Sequence, residues 1–98
     1  MIEIREAEDG TIVLSGRLDA VQAGKLERFL DGVTGPRDLD LDRLEYISSI
    51  GLGVLLKTQK RLAAQGGSLR VTRINRHVRE LLRYSGLDEI FHLPPEPA

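Results

Sequence analysis

Leu44-Glu45-Tyr46-Ile47-Ser48-Ser49-Ile50-Gly51-Leu52-Gly53-Val54-Leu55-Leu56 is the stretch on which the reading of this chain turns. Tyr46 to Ile50 reads as a strand end or loop. A long helix is expected to follow, from about Gly51 to Gln65. Its apolar stripe would be Leu52, Leu55, Leu56, Leu62 and Ala63, with Lys57, Lys60 and Arg61 towards its polar side and Gly66-Gly67 as its stop. Two hydroxyls and two glycines therefore fall where a strand-side loop turns into a helix. The first N–H groups of a helix lack intrahelical partners, and the aligned peptide dipoles make that end electropositive. Glycine removes side-chain bulk and lets other groups approach. Such a place can hold an anion, a covalently attached phosphate included. A serine there can equally be a plain N-cap, which stabilises a helix by about 1 kcal/mol. The physics of the stretch leaves both roles open.

Working outwards, Asp38-Leu39-Asp40-Leu41-Asp42 alternates with period two and reads as a strand whose aspartates face water or the strand ends. Before it, Leu26, Phe29, Leu30 and Val33 form one stripe of a helix that Asp19 can cap and that Gly32, Gly35 and Pro36 stop. Residues 2–7 and 11–18 read as strands around an Asp9-Gly10 turn, both of whose residues tolerate positive φ. After the long helix, Ser68 to Thr72 reads as a strand. Asn75 can cap a third helix with Val78, Leu81 and Leu82 inward and Arg76, Arg79 and Arg83 outward, and Gly86 suits its left-handed C′ position. Ile90-Phe91-His92-Leu93 reads as a last short strand, and a Pro-rich tail over 94–98 as loose. The expected order is β-β-α-β-α-β-α-β: an α/β single domain, core about 2–93, with a mixed, mostly parallel sheet of about five strands and an antiparallel edge hairpin.

Composition narrows the function. The 98 residues suit one domain, and 41% are hydrophobic, enough for one core. Fourteen basic residues against fifteen acidic ones give a net charge of −1, with no field to draw the chain to nucleic acid or an anionic membrane. There is no cysteine, hence no disulfide, thiol nucleophile or thiolate metal site. His77 and His92 belong to no ligand set, so neither metal nor cofactor is expected. Met1 to Glu6 shows no signal-peptide pattern and no apolar run could span a bilayer, so a cytoplasmic protein is expected. The Gly-x-x-x-x-Gly-Lys-Ser/Thr spacing of a phosphate loop and the Gly-x-Ser-x-Gly elbow are both missing, which argues against an enzyme.

Tyr46-Ile47-Ser48-Ser49-Ile50-Gly51-Leu52-Gly53 resembles the signature of STAS domains, the sulfate transporter and anti-sigma factor antagonist family. Antagonists of that family often carry Asp-Ser-Ser/Thr-Gly-Leu-Gly there, or a Ser-Ser-Ala-Gly-Leu variant. Gly16-Arg17-Leu18-Asp19 resembles the family's Gly-x-Leu-Asp, and Gln65-Gly66-Gly67-Ser68-Leu69 its helix-to-strand joint. Val78 to Leu82 and Ser85 to Phe91 resemble its last helix and strand, so the likeness spans about residues 4–93.

The resemblance implies phosphorylation on Ser49, two residues before the first glycine of the signature, with Ser48 as the weaker candidate. Ser48 stands where the family often has aspartate, and Ile50 where it often has serine or threonine. The implied docking surface is Asp19, Ser48, Ser49, Ile50, Gly51, Leu52 and Gly53. The implied partners are an anti-sigma factor of the histidine-kinase-like ATPase fold, which acts as a serine kinase, and a serine phosphatase. The chain itself would be a monomer or weak dimer. The unphosphorylated form would bind the anti-sigma factor and free the sigma factor, and phosphate would end binding. Two alternatives keep the fold: a regulatory subunit on a transporter ATPase, and a partner-switching module in a stress or secretion-control assembly. The free-standing length and the serine at the acceptor position favour sigma regulation.

Overall fold

The computed structural model describes residues 1–96. Four strands, β1 (Ile2–Glu6), β2 (Ile12–Leu18), β3 (Arg37–Ile47) and β4 (Leu69–Ile74), stand in the sheet in chain order. β1 and β2 are antiparallel, while β2–β3 and β3–β4 are parallel. The helices are α1 (Ala23–Asp31), α2 (Ser49–Ala64) and α3 (Arg76–Tyr84). Because β2, β3 and β4 follow one another across the sheet, right-handed crossovers place α1 and α2 on one face.

Alternation in the strands matches that layering. Ile2, Ile12, Leu14, Leu18, Leu39, Leu41, Leu44, Ile47, Leu69 and Val71 are buried. The intervening residues, among them Glu3, Arg5, Arg43, Glu45 and Arg70, lie on the other, polar side. In β3 the buried positions skip from 41 to 44. The register explains this: Val13 opposes Asp40 but Ser15 opposes Arg43, so β3 carries an extra residue. That bulge returns Leu44 to the core face, and a second one, between the pairs Gly16–Leu44 and Arg17–Tyr46, returns Ile47. Leu26 and Leu30 of α1, Leu52 and Leu55 of α2, and Val78 and Leu82 of α3 join the same cluster.

The hairpin turn rests on Gly10, at φ +89°, while Asp9 stays at negative φ and accepts from the Thr11 N–H at 2.9 Å. That hydrogen bond holds the Asp9 carboxyl below its usual range. Asn75 caps α3, and Gly86 takes φ +73° just past its end.

Four expectations change. The sheet has four strands and not about five, because Asp88 to His92 forms turns. A side chain of α2 lies at the β4 edge of the sheet. The buried Gln59 amide spans the outer edge of β4, accepting from Leu69 N at 2.7 Å and donating to Leu69 O at 3.1 Å. The same amide nitrogen donates to Ile90 O at 3.2 Å. Gln59 thus takes the edge bonds of Leu69 and holds the Ile90 carbonyl beside them, and the turn is pinned by Phe91, which is fully buried.

Second, α2 starts at Ser49 and not at Gly51, because Ser48 is its N-cap. Third, its stripe differs: Val54, Thr58 and Gln59 are buried, Leu56 is half-buried and Ala63 is exposed. Arg61 leaves the polar side as well, since its Nη2 donates to Leu30 O at 2.7 Å and Val33 O at 3.1 Å, tying down the carbonyl end of α1. Fourth, Arg79 does not face outward but is buried. Of the tail, Glu96 pairs with Arg83, and residues 97 and 98 lie outside the described residues.

Candidate functional site

Leu18 of β2 and Ile47 of β3 sit opposite each other at the carboxyl ends of two parallel strands. The chain leaves both strands at the same place, the part of an α/β sheet where ligands are commonly met. The Ser48 N–H donates to Leu18 O at 2.8 Å, which fastens the two exits together. On one side lies the turn after Asp19, on the other the first turn of α2.

Ser48 is extended, at φ −82° and ψ 166°, and its Oγ accepts from the Gly51 N–H at 3.1 Å. Its hydroxyl is committed to the cap. Ser49 is the first helical residue and is exposed. Among the described residues its hydroxyl has no hydrogen-bond partner. Ser48 thus takes the N-cap role, and the Ser49 hydroxyl is left uncommitted.

The glycines divide as well. A Cβ on Gly51 would stand 2.7 Å from Leu18 Cγ and 3.2 Å from Ile47 Cγ1. The first turn of α2 lies directly on the core there, and only glycine fits. A Cβ on Gly53 would meet nothing within 4 Å. Gly53 is exposed one turn along from Ser49, on a part of the helix that carries no side chain.

Asp19 is half-buried. Its Oδ1 accepts from the Gln22 N–H at 3.0 Å, so it caps the turn Ala20–Gln22 and not α1, which starts at Ala23 with Gln22 as its N-cap. Asp19, Ser48, Ser49, Ile50 and Gly53 thus gather at the two strand exits. Gly51 and Leu52 lie beneath them, buried against the core, and position the face without presenting side chains to it.

Sequence reasoning missed two neighbours. Val21, in the turn after Asp19, is 84% exposed, and with Ile50 at 56% it gives each exit an uncovered apolar side chain. The signal was available, since Val21 falls out of phase with the stripe Leu26-Phe29-Leu30-Val33. The Arg17 guanidinium lies 4.6 Å from the Tyr46 ring centroid, a cation–π contact between cross-strand neighbours just below the exits. Nothing in the spacing of 17 and 46 foretold it.

The site is a surface and not a pocket. The cleft of about 810 Å³ between α2, β4 and the C-terminal segment is lined by Leu56, Gln59, Val71 and Ile90, and includes none of residues 48–53. Among the described residues no group of three or more His, Asp or Glu side chains is placed to hold a metal ion, and no helix is long and apolar enough to cross a membrane.

The chain is thus a one-sheet α/β domain with an uncovered hydroxyl at a helix start and two exposed apolar residues at the strand exits. Comparison with known proteins gives the family. The profile described as "Mlab, STAS domain" matches residues 3–95, and the chain belongs to the STAS domain family. BtrV of Bordetella bronchiseptica, whose name places it with the anti-sigma factor antagonists, is 37% identical over 89 residues, covering 85% of this chain and 77% of its own. The anti-sigma F factor antagonist of Paenibacillus polymyxa is 34% identical over 82 residues, covering 79% and 70%. Among solved structures, the Bacillus anti-sigma factor antagonist SpoIIAA shares the fold in both its forms. The unphosphorylated form has a TM-score of 0.72 at 20% identity, covering 98% of this chain and 90% of its own. The phosphorylated form has a TM-score of 0.66 at 19%, covering 98% and 93%.

Proposed function

We propose that this chain is an anti-sigma factor antagonist, a binding protein and not an enzyme. In its unphosphorylated form it docks on an anti-sigma factor of the histidine-kinase-like ATPase fold and so frees a sigma factor. The observation that carries the reading is the state of Ser49: exposed, first in α2, its hydroxyl uncommitted while that of Ser48 caps the helix. The names of the relatives, and the existence of SpoIIAA in two phosphorylation states, support it.

The docking face consists of Asp19, Val21, Ser48, Ser49, Ile50 and Gly53, set on Gly51 and Leu52. Val21 and Ile50 would supply the apolar anchors, and Gly53 would let the partner's backbone come close. The partner kinase transfers the γ-phosphoryl group of ATP. The bond from Ser49 Oγ to phosphorus forms as the bond from phosphorus to ADP breaks, and the hydroxyl proton passes to a base of the kinase. The product carries about −1.5 to −2 charges at pH 7. The start of α2 can hold that charge without refolding, while the partner now has to desolvate it. A serine phosphatase restores the hydroxyl by hydrolysis.

The test is affinity capture from the native cell with intact-mass measurement of the bait, followed by titration of Ser49 variants against the captured partner. Ser49→Ala is expected to bind constitutively. Ser49→Asp should bind several hundredfold more weakly, about 3–4 kcal/mol. Equal affinity for the two variants would remove the switch. Capture of a transporter ATPase would keep the docking face and replace the partner.

A further inference from the structure

Arg76, Arg79 and Arg83 follow one another along α3 at spacings of three and four, which puts them on one side of the helix. They are not equivalent. The Arg76 side chain is 93% exposed and that of Arg83 is 53% exposed, but only 10% of Arg79 reaches solvent. A side chain this far buried keeps little room for water around its guanidinium, which gains most from close, preferably bidentate, contact with a carboxylate or phosphate. Among the described residues the one carboxylate within 4.0 Å of Arg79 is Glu96, and it stands at that limit.

The same Glu96 oxygen accepts from Arg83 Nη2 at 2.7 Å. One oxygen therefore serves two arginines, and the more buried of them is served badly. The Arg83 hydrogen bond, with further attraction from Arg79 and Arg76, holds the Glu96 carboxyl below its usual range. Glu96 arrives from outside the helix, on the segment that carries Pro94 and Pro95. It enters a cleft of about 620 Å³ whose other charged lining residues are Asp42 and Glu80. Without Glu96, the three arginines of that cleft would face Glu80 and an Asp42 already paired with Arg73 at 3.3 Å, with Asp88 attracting Arg83 from the segment after α3.

We infer that this cleft on α3 is a docking site for an acidic segment of a partner protein, closed in the free chain by its own Glu96. The chain displays the chemistry the site accepts: a carboxylate on a short proline-containing segment. A partner segment of that kind could engage Arg79 with both oxygens, which the tail does not. An exposed ion pair is weak, so the tail is a displaceable competitor. The cleft shares no residue with the face at Ser49, and the inference does not depend on the switch.

The full-length chain and its Glu96→Gln variant would be titrated with a blocked Leu-Pro-Pro-Glu-Pro peptide and with its Leu-Pro-Pro-Gln-Pro counterpart. Binding would be followed by calorimetry and by the arginine side-chain N–H signals in NMR. Loss of the tail's competition should tighten binding of the Glu peptide by about fivefold. The signals of Arg79 and Arg83 should move, and the Gln peptide should not bind. Adding Arg83→Gln to Glu96→Gln should abolish binding while the backbone spectrum stays folded. Equal affinity of the two chains for the Glu peptide would overturn the inference. So would equal affinity for the two peptides, no binding at millimolar peptide, or shifts confined to residues outside α3.

Discussion

The first turns of α2 and α3 share a backbone and differ in everything the backbone carries. Ser48 and Asn75 have nearly the same N-cap angles, φ −82° with ψ 166° and 165°, and each side chain accepts from the N–H three residues on. Asn75 goes further. Its Nδ2 donates to Leu44 O at 2.7 Å and Asp42 O at 2.9 Å, satisfying β3 carbonyls where β4 no longer runs beside them. The start of α3 is thereby bolted to the sheet and flanked by arginines. The start of α2 is held from below, by Leu18 and Ile47 beneath Gly51, and its upper side is left to Ser49, Ile50 and Gly53. The cap of α2 uses one hydroxyl and leaves the next one free, which is what the proposed function requires of Ser49.

Five substitutions would break or sharpen that contrast. Asn75→Ala should have the largest effect. It removes a cap and strands two carbonyls of β3, and should cost about 2–4 kcal/mol in urea unfolding. A loss below about 1 kcal/mol would mean that water replaces the amide and that α3 is no more bolted than α2.

The two glycines come next. Gly51→Ala forces a methyl group against Leu18 and should destabilise by about 1–3 kcal/mol. Gly53→Ala meets open space and should stabilise by about 1 kcal/mol, as alanine does in a helix interior. The same Gly53→Ala should weaken the partner captured with wild-type bait, since its methyl projects from the proposed face. A Gly53→Ala chain that gains stability and keeps its full affinity would remove Gly53 from that face.

The smallest effects separate the serines. Ser48→Ala should lose about 1 kcal/mol with the cap. Ser49→Ala should leave thermal stability within about 0.5 kcal/mol, as expected of a surface side chain without a partner. Reversal of that order would mean that Ser49 and not Ser48 holds the helix start.

Much of this was legible because the signals are local. Ser48 and Asn75 stand just ahead of apolar-periodic runs, Gly86 stands just past one, and the alternation in Asp38-Leu39-Asp40-Leu41 shows its two faces directly. Each depends on atoms a few residues apart. What could not be read depends on distant partners. The strand expected over Ile90 to Leu93 gives way to turns, with the Ile90 carbonyl held by an amide on residue 59, 31 positions away. Arg79 reads as an outward charge until the helix is placed against β3 with Glu96 folded back beside it. Arg61 reads as a solvated cation until the carbonyl end of α1 arrives 31 residues away.

The sequence by itself determined the α/β alternation, the Asn75 cap of α3 and the pair of serines at the head of α2, because such signals are set by neighbours along the chain. Only the tertiary structure decided which glycine is filled from below and which is bare, which arginine is buried, and that the sheet stops at four strands. Those outcomes depend on close approach between segments far apart in sequence, where a few ångströms of packing choose between contact and open water.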